Sequence, residues 1–165
     1  MKPEIFFLKY AYPCSFVLLI KKEITNEEHE LLHKSTKEKK LYLPRKRIER
    51  IFWRPMKFIK SISNLKEVQE YWWFKHNQYL MTKNRENVEE IFIKRCMVIP
   101  CEVLSVEKNV AMVISPLFKE MIKLKTDFVD VKPRDKVTKH YDYVCEKISE
   151  NLYEEIIKRL KNIMD

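Results

Sequence analysis

The chain contains no glycine in its 165 residues. Glycine is the residue that enters positive φ without steric cost, so every tight turn here must fall to Asn, Asp, Pro or Lys. The absence also removes whole classes of chemistry. P-loops and dinucleotide-binding fingerprints need glycines where the backbone approaches phosphate, so nucleotide binding of those kinds is excluded. Hydrophobic residues still make up 45% and aromatics 12% of the chain, enough to bury a core.

Charge is distributed unevenly. Of the net +9, residues 1–95 carry all of it (21 Lys/Arg against 12 Asp/Glu), and residues 96–165 are balanced at 12 and 12. The densest stretch runs from Lys34 to Lys66, with 12 basic residues against Glu38 and Glu49. Such a patch attracts nucleic acid, anionic lipid or an acidic protein face, or it simply solubilises the surface. The four cysteines, Cys14, Cys96, Cys101 and Cys145, are not spaced like a secreted disulfide framework. The apolar run Ile5–Ile20 is interrupted by Lys9 and Pro13 and reads as too short and broken to span a bilayer. Reduced thiols in a cytoplasmic protein with no membrane span are the expectation.

Periodicity divides the chain. Thr25 and Glu28 fit a capping box ahead of Leu31 and Leu32, and Pro44 suits the first turn of a second helix. Ile48, Ile51, Phe52, Ile59 and Ile62 follow at helical spacings, with a break expected at Pro55. Asn64 and Glu67 mark another start, and Glu86 to Lys94 predicts a further short helix. From Cys96 the pattern changes. Met97–Val106, Val110–Ile114, Ile122–Lys125, Val129–Val131 and Lys136–Tyr143 predict strands, with Asn109 turning the first hairpin. Leu152, Ile156, Ile157, Leu160 and Ile163 then make one stripe of a closing amphipathic helix. The expected fold is α+β: a basic helical domain over residues 1–93, then a small OB-like barrel with a C-terminal helix over residues 94–165.

The run Cys96-Met97-Val98-Ile99-Pro100-Cys101-Glu102-Val103 resembles the opening of the HypC/HupF hydrogenase maturation chaperones: a cysteine, apolar residues, a proline and the first barrel strand. Arg134 to Val144, with His140-Tyr141 inside it, looks like that family's second signature, and the closing helix matches its C-terminal pattern. This likeness covers about residues 96–165. It departs from the family where Cys101 and Asp142 stand in place of glycines and where 95 residues precede the cysteine. Lys9 to Pro13, Val68 to Trp72 and His140 to Cys145 also resemble an uncharacterised family encoded near nickel–iron hydrogenases. The resemblance implies a HypC-like barrel and an accessory or chaperone-like role in nickel–iron hydrogenase maturation. The partner would be a hydrogenase large subunit or a HypD-like maturation protein. It also implies a transient, thiolate-bound iron centre at Cys96 with His140 beside it. A thiolate is a soft ligand suited to such iron, and a nearby imidazole can lower a thiol pKa.

Other residues have their own readings. Pro100, Cys101, Trp72, Trp73 and Asp142 are candidates for partner contact; Tyr71–Phe74 are four consecutive aromatics that cannot all face one core. Arg45, Lys46, Arg47, Arg50 and Arg54, near Trp53, are the candidate contacts for the alternative, a nucleic-acid-binding module. Cys96 and Cys101 could share a metal only if Pro100 breaks the strand between them. His29 and His33 stand at i, i+4 with no obvious third ligand. A Cys96–His140–Asp142 triad can be drawn, but two residues apart on one strand Asp142 orients the imidazole poorly, and no oxyanion site is evident. The chain therefore reads as a binding protein and not an enzyme.

Overall fold

The computed structural model describes residues 1–83 and 90–165. It forms two compact units, Met1–Trp72 and Trp73–Asp165. The boundary thus falls earlier than the junction expected near residue 93. The reason is packing: Trp73, Phe74, Leu80 and Ile93, all upstream of the barrel, lie against the barrel's own apolar core.

The first unit is helical: α1 (Pro3–Ala11), α2 (Ser15–Ile20), α3 (Asn26–Glu38), α4 (Arg45–Ile51) and α5 (Leu65–Glu70). The expected capping box opens α3. Thr25 Oγ1 accepts from the Glu28 amide at 3.1 Å, and a Glu28 carboxylate oxygen accepts from the Thr25 amide at 3.0 Å. Pro44 caps α4, and Pro55 opens a separate 3₁₀ turn (Pro55–Lys57) after α4 has ended. Aromatic rings organise the interior. Tyr10 stacks on Trp72 at 5.6 Å between centroids, and Phe7 meets both Trp72 and Phe52. The helical run Pro3–Ile20 is long and apolar enough to cross a membrane by length and composition, contrary to the sequence expectation. In this unit its Ile5, Phe6, Phe7, Leu8 and Tyr10 are buried. Trp72, only 1% exposed, is core and presents no surface to a partner.

The second unit begins with α6 (His76–Lys83) and α7 (Glu90–Cys96). The first part of the helix expected over Glu86–Lys94 lies outside the described residues. A closed barrel follows: β1 (Ile99–Glu107), β2 (Val110–Ile114), β3 (Met121–Lys125), β4 (Lys136–His140) and β5 (Tyr143–Lys147), in the order β1-β2-β3-β5-β4. Pairs are antiparallel except β3 with β5. The pairing that closes the barrel, β3 with β5, is a single one, Lys125 with Tyr143. The last helix, α8 (Glu150–Met164), is capped by Ser149 Oγ, which accepts from the Leu152 amide at 3.2 Å. Its Ile156 and Leu160 join Met97, Val103, Val113, Leu124, Val137 and Val144 in the barrel core.

Two strand expectations fail. Val129–Val131 forms no strand, and Lys136–Tyr143 is not continuous. Tyr141 and Asp142 turn the chain between β4 and β5, with His140 opposite Tyr143. Without glycine, the positive-φ positions among the described residues fall to Lys22, Lys39, Lys108, Lys119, Arg134 and Tyr141. Lys108, at φ 55°, takes the left-handed position of the first hairpin in place of Asn109. Tyr141, at φ 49°, is the bulkiest of the six.

Candidate metal centre

Register brings the central pair together. β1 and β4 run antiparallel with Ile99 opposite Lys139. Stepping back from Ile99 to the end of α7 and forward from Lys139 to the end of β4 therefore approaches Cys96 and His140 from the two strands. Cys96 Sγ lies 3.8 Å from His140 Nε2. A third group joins them: His76, the first residue of α6, places its Nε2 4.0 Å from the same sulfur. The two imidazoles meet edge to face, 5.0 Å between centroids. One ligand atom from each of the three residues falls within 4.8 Å of the others, an arrangement that could hold a metal ion. Among the described residues no other set of three such side chains comes together.

The surrounding polar groups fix the cysteine. His76 Nε2 is 3.0 Å from the Cys96 carbonyl, and since a carbonyl only accepts, that nitrogen carries the proton. Lys139 Nζ donates to the carbonyls of Lys94 at 2.7 Å and Arg95 at 3.0 Å. The Tyr141 amide donates to the Arg95 carbonyl at 2.8 Å. The last three carbonyls of α7 are thus all satisfied, and the cation sits where the helix dipole favours one. Just beyond, Asn77 grips Val98 in both directions, its Nδ2 donating to the Val98 carbonyl at 2.7 Å and its Oδ1 accepting from the Val98 amide at 2.8 Å.

Burial dominates the electrostatics. His140 is fully buried and His76 is 7% exposed, while Cys96 keeps partial access to solvent. Burial pushes the His76 pKa down to about 4, against a smaller opposing effect of the hydrogen bond to Cys96, so its imidazole is neutral at pH 7 and suited to ligation. Burial also raises the Cys96 thiol, opposed by a hydrogen bond from the Tyr141 side chain and by the Lys139 charge. Lys139 itself is pushed down to about 8 by burial, with Cys101, Cys145, Cys96 and Asp142 pulling it back up. Left alone, Cys96 is a thiol at neutral pH; a cation must displace its proton to bind there.

The other expected site residues fall elsewhere. Cys101 is buried in the barrel core, its thiol donating to the Ile99 carbonyl at 3.7 Å and burial pushing its pKa up to about 12, so it neither shares a metal with Cys96 nor offers a contact surface. Pro100 is likewise buried in β1. Trp73 is half-buried on the barrel core and donates Nε1–H to Glu146 at 3.1 Å. Asp142 is exposed and pairs with Arg95 at 2.9 Å, which leaves it no part in a triad. His29 and His33 both pack against the Tyr12 ring. On α4, Arg45, Lys46, Arg47 and Arg50 are exposed; Arg45 donates to Ser63 and Arg47 pairs with Glu28. Arg54 pairs with Glu23 and lies over the Trp53 ring, which Lys57 also covers. His76 escaped the sequence reading because nothing near it marks a ligand; it lies at the end of an aromatic run, and its contact with Cys96 is tertiary.

No family model matches the chain, and searches of curated proteins and of solved structures return no match.

Proposed function

We propose that this protein is a metal-handling accessory protein whose working group is the Cys96 thiol supported by His140. The single observation that carries the reading is the 3.8 Å approach of Cys96 Sγ to His140 Nε2 at the junction of α7, β1 and β4. A thiolate and an imidazole at that distance suit a soft or borderline transition-metal ion. The partial exposure of Cys96 suits a cargo that has to arrive and leave. The closed five-stranded barrel with its C-terminal helix supports the likeness to the HypC/HupF chaperones. We therefore take the cargo to be an iron centre and the setting to be nickel–iron hydrogenase maturation in the cytoplasm. A hydrogenase large subunit or a HypD-like protein would be the partner. The role is carriage, not catalysis.

The nucleic-acid reading has less support. Arg45, Arg47 and Arg54 are engaged with Ser63, Glu28 and Glu23, and the exposed Trp53 ring is already covered by two cations. The test is anaerobic, nuclease-treated affinity purification from the native host, comparing wild type with Cys96→Ser by mass spectrometry. Hydrogenase or maturation proteins retained by wild type and lost by the variant are the expected result. Nucleic-acid-associated proteins alone, or nothing, would overturn the reading.

A further inference from the structure

The residue that the resemblance to maturation chaperones does not supply is His76. It lies upstream of the stretch that carries the likeness, on α6, and its ring meets that of His140 edge to face beside Cys96. Its Nε2 stands 3.0 Å from the Cys96 carbonyl and 4.0 Å from the Cys96 sulfur. One nitrogen cannot serve both. While it carries a proton it holds the carbonyl; to bind a cation it must present a lone pair.

We propose that His76 is a two-position ligand: it latches the Cys96 carbonyl when the site is empty and turns its Nε2 onto the ion when the site is filled, making a Cys–His–His centre for a zinc-class divalent cation with one coordination position left open. The proposal rests on the reading of this cluster as a metal centre. Geometry supports it. Metal–ligand distances of about 2.3 Å to sulfur and about 2.0–2.1 Å to nitrogen put tetrahedral ligand atoms about 3.5 Å apart. The observed separations of 3.8 and 4.0 Å from sulfur need to close by only a few tenths of an ångström. One thiolate with two imidazoles selects zinc, cobalt or ferrous iron over magnesium or calcium, which prefer oxygen. Three protein ligands also leave a fourth position for an incoming group, as in sites where exchange occurs.

The proton balance is definite. Binding a divalent cation releases one proton to solvent, from the Cys96 thiol, and moves the His76 ring proton from Nε2 to Nδ1. The Cys96 carbonyl loses its donor. Lys139 and the Tyr141 amide continue to hold the two preceding carbonyls, and Asn77 continues to hold Val98. Filling the site therefore frees one carbonyl of α7 without undoing the rest of the clasp.

The test uses the full chain with zinc alone. Nitrogen-15 NMR of the histidine rings should show His76 as the Nε2–H tautomer without metal and as the Nδ1–H tautomer with zinc. His76→Gln keeps an amide donor for the carbonyl but is a poor ligand. Its zinc affinity should fall by more than the roughly 10–100-fold that losing an outer-shell partner costs. An unchanged affinity in His76→Gln, or a His76 ring that stays Nε2–H in the zinc-bound wild type, overturns the latch while leaving a Cys96–His140 carrier intact. A wild type that takes up no zinc, cobalt or ferrous iron overturns the latch and the metal reading together. The tautomer measurement needs no variant, so misfolding of His76→Gln cannot shelter the proposal.

Discussion

Asn77 holds Val98 by both of its backbone groups, at 2.7 and 2.8 Å, as a neighbouring strand would. Both residues are buried, and Val98 is the second residue after Cys96, so the clasp fixes the direction in which the thiol leaves α7. Together with His76 on the Cys96 carbonyl, it converts what would be a free connector into a held one.

Asn77→Ala would leave a buried N–H and a buried C=O without partners. Each such group costs about 1–3 kcal/mol, so the variant should lose about 2–6 kcal/mol of stability. Urea unfolding followed by barrel tryptophan fluorescence measures it, and Trp73 is the reporter in this unit. A loss well under 1 kcal/mol would mean that the clasp contributes little.

The metal-free protein should weaken in mild acid because of His76. Its folded pKa, pushed to about 4, lies below the ordinary 6.5, so the unfolded chain binds more protons between those values. Stability from this group is fully present above about pH 6.5 and is lost as pH falls towards 4, by roughly 3 kcal/mol if the shift is expressed in full. Thermal unfolding from pH 7 to 4, compared with His76→Gln, isolates it: the variant's profile should be flatter over that window.

Much of the fold was legible from sequence, for local reasons. The Thr25–Glu28 box, the Asn64 start, whose side chain accepts from the Glu67 amide at 3.3 Å, and the stripe of α8 all depend on neighbours within a few residues. The barrel's first strand follows from its β-branched residues, the second from the turn before it, and the third from its alternation. What was not legible depends on long-range contact. The break at Tyr141 and Asp142 is hidden because Tyr is an unlikely left-handed residue, and it is tolerated here where its amide finds the Arg95 carbonyl. The aromatic run Tyr71–Phe74 divides between two cores, Tyr71 and Trp72 in the first unit and Trp73 and Phe74 in the second, which no periodicity announces. Of the candidate centre, Cys96 and His140 came from the resemblance, and His76 came only from the structure.

The missing glycines leave room for improvement. Lys39 closes α3 in the left-handed region, at φ 56° and ψ 34°. An L-residue there costs about 1–2 kcal/mol, partly offset by the greater freedom that glycine has in the unfolded chain. Lys39→Gly should therefore stabilise the first unit by about 0.5–1 kcal/mol, seen as a higher midpoint in thermal unfolding. A lower midpoint would show that the Lys39 side chain contributes more than its backbone costs.

Cys96 should react slowly with thiol reagents in the metal-free protein, since burial keeps it protonated, yet faster than Cys101, whose pKa is pushed up to about 12 in the barrel core. Mass-spectrometric labelling of the native protein, with and without zinc, measures both rates. Zinc should protect Cys96 and leave Cys101 unchanged; equal protection of the two would point to a global effect.

The most direct test of the central claim is the metal content of the protein purified anaerobically from its native host. Wild type should carry about one transition-metal ion per chain, bound through sulfur and nitrogen, and both Cys96→Ser and His140→Ala should lose it while remaining folded. Metal-free wild type, or metal retained equally by folded Cys96→Ser, would contradict the account.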